Sequence, residues 1–249
     1  MQPLPERGFG YAPGVFQYSC GVVALPGFRM ERARFRLPVP LAAGFARIRA
    51  HLEGLGLPLT AFAACELRSP APFTEDGFAA FNRLYAGTLQ GWGVFIPSPG
   101  GETNPVARSN VCPEVAPPAE PGFFAFSYAV PGEGGGFVVA GNGEAREGGA
   151  TYEESIVAPG DTSPAGLSAK CAHVMTEMEK RMATLGVGYA GATAVNLYTV
   201  HDPHPILARE VLARGAPLLG VEWHFCRPPI QGLDWEMDCR GVTLELVLT

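Results

Sequence analysis

Apolar residues fall at helical spacing in two long stretches of the chain. In residues 42–70, Phe45, Ile48, Leu52 and Leu55 share one face of a helix. Gly54 and Gly56 predict its end, since a glycine past the last turn closes a helix at low steric cost. The following "TAFAACELRS" reads as a strand. Residues 165–200 repeat the pattern, with Leu167, Cys171, Val174, Met178, Met182 and Leu185 as the stripe, Gly186 and Gly188 as the stop, and "ATAVNLYTV" as the strand. A second helix is expected after each, over 75–89 and 204–216. The β-prone runs are "VFQYSCGVVAL" (15–25, broken by Gly21), "GFVVAGNGEA" (136–145, broken by Gly141), "GFFAFSYAVP" (122–131) and "DWEMDCRGVTLELVL" (234–248).

The order strand, helix, strand, helix, strand thus occurs twice. It predicts an α+β protein in which helices cover one face of a mixed sheet. Two tandem units are expected, 1–131 and 137–249, joined by a Gly-rich junction at 132–136 that is short enough for the units to pack together. Residues 145–164 are a polar insertion in the second unit, either a disordered loop or a lid.

Composition narrows the classes of function. A net charge of -6 without a Lys/Arg cluster argues against nucleic acid as a partner. An apolar content of 47% supplies a sizeable core. Cys20, Cys65, Cys112, Cys171, Cys226 and Cys239 form no C-x-x-C pair and match no zinc spacing, so they read as buried thiols in a reducing cytoplasm. Neither a signal-peptide pattern nor a membrane-length apolar run is present in the sequence. "HDPHP" (201–205) has metal-ligating residue types, but Asp202 or His204 can simply cap the helix that follows, and no metal is expected.

The candidate chemistry centres on "NPVARSNVCPEV" (104–115). Arg108 stands alone among small and apolar residues. It is either a carboxylate clamp, for which guanidinium offers a planar fork of donors, or the partner of a neighbouring acid such as Glu114. Four stretches decide how to read it: "PGVFQYSCGVVAL", "FARIRAHLEGLGLPLTAFAACELR", "FAAFNRLYAGTL" and "PVARSNV". In order and spacing they resemble the RidA/YjgF family of enamine and imine deaminases.

That resemblance implies chorismate-mutase-like units assembled as a homotrimer with clefts between units. It implies a cofactor-independent hydrolysis of a C=N or enamine bond in a small carboxylate, 2-aminomuconate- or 2-aminoacrylate-like, with release of ammonia. Arg108 would hold the carboxylate. Gly21, Cys20, Tyr18, Asn82 and Asn110 would line the substrate site. Where many members carry a glutamate that orients water, this chain has Phe123, which leaves Glu120 or Glu114 for that role. In the second unit Glu222 and Trp223 occupy the slot of Arg108, so that unit is expected to have lost its site, although Arg227 or His224 could act from a shifted position. Two other readings are a non-catalytic binder of small carboxylates and a chorismatase-like enzyme, a class that also carries paired units of this fold.

Overall fold

The computed structural model describes residues 1–99, 101–146, 152–216 and 220–249. The chain starts with β1 (Gln2–Leu4), β2 (Phe9–Ala12), β3 (Gly21–Ala24) and the long β4 (Phe28–Pro40). Then come α1 (Leu41–Gly54), β5 (Phe62–Arg68), α2 (Glu75–Gly91), a small hairpin of β6 (Ile96–Ser98) and β7 (Gly101–Thr103), β8 (Ala107–Pro113) and β9 (Gly122–Pro131). Beyond the glycines lie β10 (Phe137–Gly143), α3 (Tyr152–Ser155), α4 (Pro164–Leu185), β11 (Ala194–Tyr198) and α5 (His204–Glu210). The chain closes with β12 (Glu222–His224), β13 (Cys226–Arg227), β14 (Glu236–Gly241) and β15 (Leu244–Leu248).

The result is the expected mixed α+β fold, built on two large sheets. One has the order β1-β2-β3-β10-β14-β11-β12, the other β13-β8-β5-β9-β4-β15. Both sheets therefore draw strands from either side of the Gly-rich junction. Helices α1 and α2 bury Phe45, Ile48, Leu52, Phe78, Tyr85 and Leu89 against the second sheet. Helix α4 buries Cys171, Val174, Met178 and Met182 against the first. Ser163 caps α4 by accepting from the Gly166 N–H at 3.2 Å, and Gly186 ends it in the left-handed region at φ 73°.

Three expectations are corrected by the strand pattern. Residues 15–25 are not one strand. Only Gly21–Ala24 is β3, because Ser19 leaves the sheet direction to bond β8's approach: its N–H donates to Val106 O at 2.9 Å and its hydroxyl to Pro105 O at 2.8 Å. The closing run 234–248 is two strands in different sheets, the crossing fixed where Thr243 N–H donates to Met30 O. The helix expected over 204–216 ends at Glu210 and tightens into a 3-10 turn at Leu212–Arg214.

The inner faces of the two sheets meet. Small and apolar side chains fill part of that layer, including Val22 and Ala140 from one sheet and Met30, Ala64, Ala107 and Ala129 from the other. The rest is ionic. Arg32 bonds both oxygens of Glu66 at 2.6 and 2.8 Å, and Asp238 accepts from Asn196 at 2.6 Å and from the Tyr198 hydroxyl at 3.0 Å. Burial opposes ionisation of Glu66, yet Arg32, helped by Arg240 and Arg68, holds it at about 2. The run 122–131 is buried within the chain almost throughout. Among the described residues no helix is long and apolar enough to cross a membrane.

Candidate active site

Strand β8 lies next to the edge of its sheet, parallel to β5, with Arg108 opposite Cys65. Alternation along the strand turns Arg108 and Asn110 to one face and Ser109 to the other. Arg108 is only 3% exposed. Its guanidinium carbon lies 4.9 Å from the Tyr18 ring centre and 4.8 Å from that of Tyr85, with Phe78 and Phe81 within 5.7 Å. The Ser19 bonds described above are what bring Tyr18 onto this group. Nη2 donates to Asn82 Oδ1 on α2 at 2.8 Å, while Nη1 is buried and has no partner. Two residues on, Asn110 Oδ1 accepts from Ser69 at 3.0 Å and its Nδ2 is likewise buried without a partner. Buried donors are ordinarily satisfied, so two of them on one face of one strand mark a place that a ligand would complete.

Across from β8, Gly141 in β10 lies against the start of β14. A Cβ there would collide with Glu236 Oε1 and come within 3.2 Å of the Ser109 Cα. The missing side chain thus admits the Glu236 carboxyl beside the β8 backbone. Glu236 is held well above the usual carboxylate range, first by burial and then by the charges of Asp238 and Glu144, with Arg108 and Arg181 acting in the opposite sense. Tyr18 is also raised by burial, against the pull of Arg108 and Arg181. Arg181 on α4 donates Nη1 to the carbonyls of Ala140 and Gly141, each at 3.2 Å. The Arg108 fork thus lies on the α2 side of β8 beside the Tyr18 ring, while the Glu236 carboxyl lies by Gly141, near the Ser109 backbone.

Of the residues expected from sequence, Arg108, Asn82 and Tyr18 come together and Asn110 shares their strand face. Cys20 and Gly21 are nearby in the chain, but their backbones are engaged: Cys20 N–H donates to Ala12 O, Cys20 O accepts from Ala140 N–H, and Gly21 is laddered to Ala12 and Val139. Glu114 does not pair with Arg108; both its oxygens bond Arg227 at the exposed end of β8, at 2.7 and 3.0 Å. Glu120 is exposed in the turn before β9. Neither is brought to the arginine. Phe123 is core, edge-on to Phe45 at 4.8 Å.

In the second half, Trp223 donates to Thr199 O and Glu222 is exposed. Asp202 accepts from the His204 N–H at 3.1 Å ahead of α5, and among the described residues no cluster of three or more His, Cys, Asp or Glu could hold a metal. Residues 147–151 of the insertion lie outside the described residues, while Ile156 and Val157 beyond them are buried. A groove of about 400 Å³ lies elsewhere, among glycines, Phe137, Val187, Thr193 and Val242, and has no ionisable lining.

Sequence reasoning missed Glu236, and took Gly141 only as a break in a strand. The signal was present: within "WEMDCR" the acids and Arg240 alternate with Trp235, Met237 and Cys239, which places charge on one face of a buried strand.

A mixed α+β protein built on two facing sheets has a solved counterpart in fold. A chorismatase crystal structure superposes with a TM-score of 0.53 at 14% identity, over 90% of this chain and 74% of that one. The family is shown at sequence level: the model of the family described as 2-aminomuconate deaminase CnbZ matches residues 1–246, and the chain belongs to that family. The 2-amino-5-chloromuconate deaminase of Comamonas testosteroni is 48% identical over 245 residues, 97% of this chain and 96% of that protein. These matches overturn the RidA/YjgF resemblance. The four stretches on which it rested record an order of strands, glycines and helices, and such an order can be shared by families that differ in identity.

Proposed function

We propose that the chain is a hydrolytic deaminase of 2-aminomuconate-type dicarboxylates, working without a cofactor. Its family and its 48% identical relative support the substrate class. The observation that carries the chemistry is the unpartnered Arg108 Nη1, whose charge acts on a buried Glu236 carboxyl held well above the usual range. Arg108 binds the carboxylate next to the amino-bearing carbon, and the rings around it suit a flat conjugated acid.

Glu236 then donates its proton to the enamine carbon, leaving an iminium and a carboxylate. The carboxylate takes a proton from water as the water oxygen adds to the C=N carbon. The same proton passes to the amine of the carbinolamine, the C–N bond breaks, and ammonia leaves. The proton of the remaining hydroxyl returns to Glu236 as the carbonyl forms. Enamine plus water becomes ketone plus ammonia, and the acid is regenerated. A carboxyl raised by its surroundings is suited to both halves of this cycle at neutral pH.

The test is ammonia release with loss of the dienamine absorbance of 2-aminomuconate. Wild type should turn over, and Glu236→Gln should fall by at least about 100-fold, the range of general acid–base catalysis. Binding without ammonia release by the wild-type chain would sink the proposal.

A further inference from the structure

Helix α4 carries Lys170 in the middle of its apolar stripe, and the side chain is 0% exposed. Its Nζ bonds Glu144 Oε1 at 3.2 Å and Asp234 Oδ2 at 3.1 Å. Glu144, just past β10, also accepts the backbone N–H of Asp234 at 2.5 Å on Oε1 and that of Trp235 at 3.0 Å on Oε2. Burial raises the Glu144 carboxyl, and the Asp234 N–H, the Lys170 charge and the Trp235 N–H oppose it; three donors on two oxygens are what an ionised carboxylate needs there. The two N–H groups belong to the residues immediately before Glu236. Asp234 is tied outward as well, its Oδ1 lying 3.1 Å from His201 Nε2.

We propose that Lys170 is a positioning residue for Glu236: its ammonium binds Glu144 and Asp234 into one cluster that fixes the entry to β14 and keeps a negative charge behind the Glu236 carboxyl. This rests on the catalytic role given to Glu236 above. An ammonium buried at this depth is costly unless both carboxylates meet it. A helix that only needed to pack would carry an apolar residue at this position, as it does at Val174 and Met178.

The titratable groups coupled to Glu236 through charge are Asp238 on its own strand, Glu144 after β10, Arg108 and Cys112 on β8, Arg181 on α4, Tyr18 before β3 and Cys226 on β13. Among these, Glu144 is the one that Lys170 touches. Without the ammonium, Glu144 loses a donor in a buried site and takes up a proton. The negative charge behind Glu236 is then gone, and the folded pKa of Glu236 falls. Because the reaction needs Glu236 protonated, activity is present below that pKa and lost above it. The basic limb of the kcat/KM profile must therefore move to lower pH.

The experiment compares Glu144→Gln, Lys170→Met and the double variant with 2-aminomuconate as substrate, alongside Glu236→Gln. Expected are a downward shift of the basic limb by at least half a pH unit in each of the three, a fall in kcat with KM unchanged, and a double variant no worse than the singles. Lowered melting temperature with an unmoved limb, or a limb moved upward, overturns the proposal. If Lys170→Met does not fold, Glu144→Gln alone decides, since it keeps the volume and one acceptor. If Glu236→Gln keeps full activity, the role of Glu236 fails; if it is inactive while the limb of Glu144→Gln stays in place, only the role of Lys170 fails.

Discussion

Arg108 is a charge held among rings rather than against an acid. Burying guanidinium this way carries a desolvation cost, and among the described residues no carboxylate forms an ion pair with it. Replacement by an apolar side chain of similar length should therefore leave the fold intact. Arg108→Met is expected to melt within a few degrees of wild type, or above it, while binding of the substrate carboxylate weakens. A charge-assisted bond of about 1.5–3 kcal/mol corresponds to roughly one to two decades in kcat/KM. Arg108→Lys should recover part of this, because ammonium keeps the charge and loses the fork. Thermal melts beside steady-state kinetics make the check, and a destabilised Arg108→Met of normal kcat/KM would assign the arginine to structure.

The two glycines that break the strands separate in the same way. An added methyl at Gly141 meets the flexible end of Glu236, whereas at Gly21 it meets the Val138 carbonyl and Leu185 Cδ1, each at 2.8 Å. Gly141→Ala should displace the carboxyl and lower kcat roughly 10- to 100-fold with a small change in melting. Gly21→Ala should cost about 1–3 kcal/mol of stability and leave the activity of the folded fraction unchanged. Chemical denaturation and kcat on the same samples distinguish the two, and the reverse pattern would contradict the placement of Glu236 against β10.

At the scale of elements, the layer between the sheets holds both the acid proposed to be catalytic and an acid bound in an ion pair. Glu66 on β5 is tied by both oxygens to Arg32. Its folded value of about 2 lies below the ordinary Glu value near 4.3. Its contribution is thus complete above the unfolded pKa and is lost as pH falls through that window toward 2. Glu66→Gln should be less stable by about 3 kcal/mol at pH 7, and the difference from wild type should shrink below about pH 4. Urea melts across pH 2–7 test this, and a gap independent of pH would remove the ion pair as its cause.

Much of this level is legible in sequence. The α1 and α4 stripes stand out because apolar spacing and a terminal glycine agree, and 122–131 is a strand because its apolar run is long and β-branched or aromatic. Residues 15–20 mislead because a hydroxyl and an N–H of Ser19 are taken by Pro105 and Val106, nearly ninety positions away. Of the site, Arg108 stands out from its small and apolar surroundings, whereas Asn82 and Tyr18 are expected only from the family resemblance. Glu236 is marked only by the alternation within "WEMDCR", and its approach to Gly141 joins distant segments that no short motif links.

For the whole molecule, the decisive fact is where the edge strands go. Strands β1–β3 extend the sheet that α4 covers, with β3 paired to β10 through Gly21–Val139, Val22–Val138 and Val23–Phe137. In return β15 lies parallel to β4 from Leu244–Glu31 to Leu248–Phe35 in the sheet that α1 and α2 cover. Cutting the chain at the glycines would leave each part with an open sheet edge and the ionic layer half paired. Arg240 would lose the charge of Glu66 and Arg32 its contact with Glu245 at 3.4 Å, and a buried ion deprived of its partner typically costs several kcal/mol. The intact chain is therefore expected to unfold in one calorimetric transition whose van't Hoff and calorimetric enthalpies agree. Residues 1–131 and 137–249 produced separately should show no cooperative melt, and mixing them should restore one, together with ammonia release, because Arg108 and Glu236 lie on opposite sides of the cut. Two resolved transitions in the intact chain, or a cooperative melt from either fragment alone, would show that the exchanged strands are dispensable.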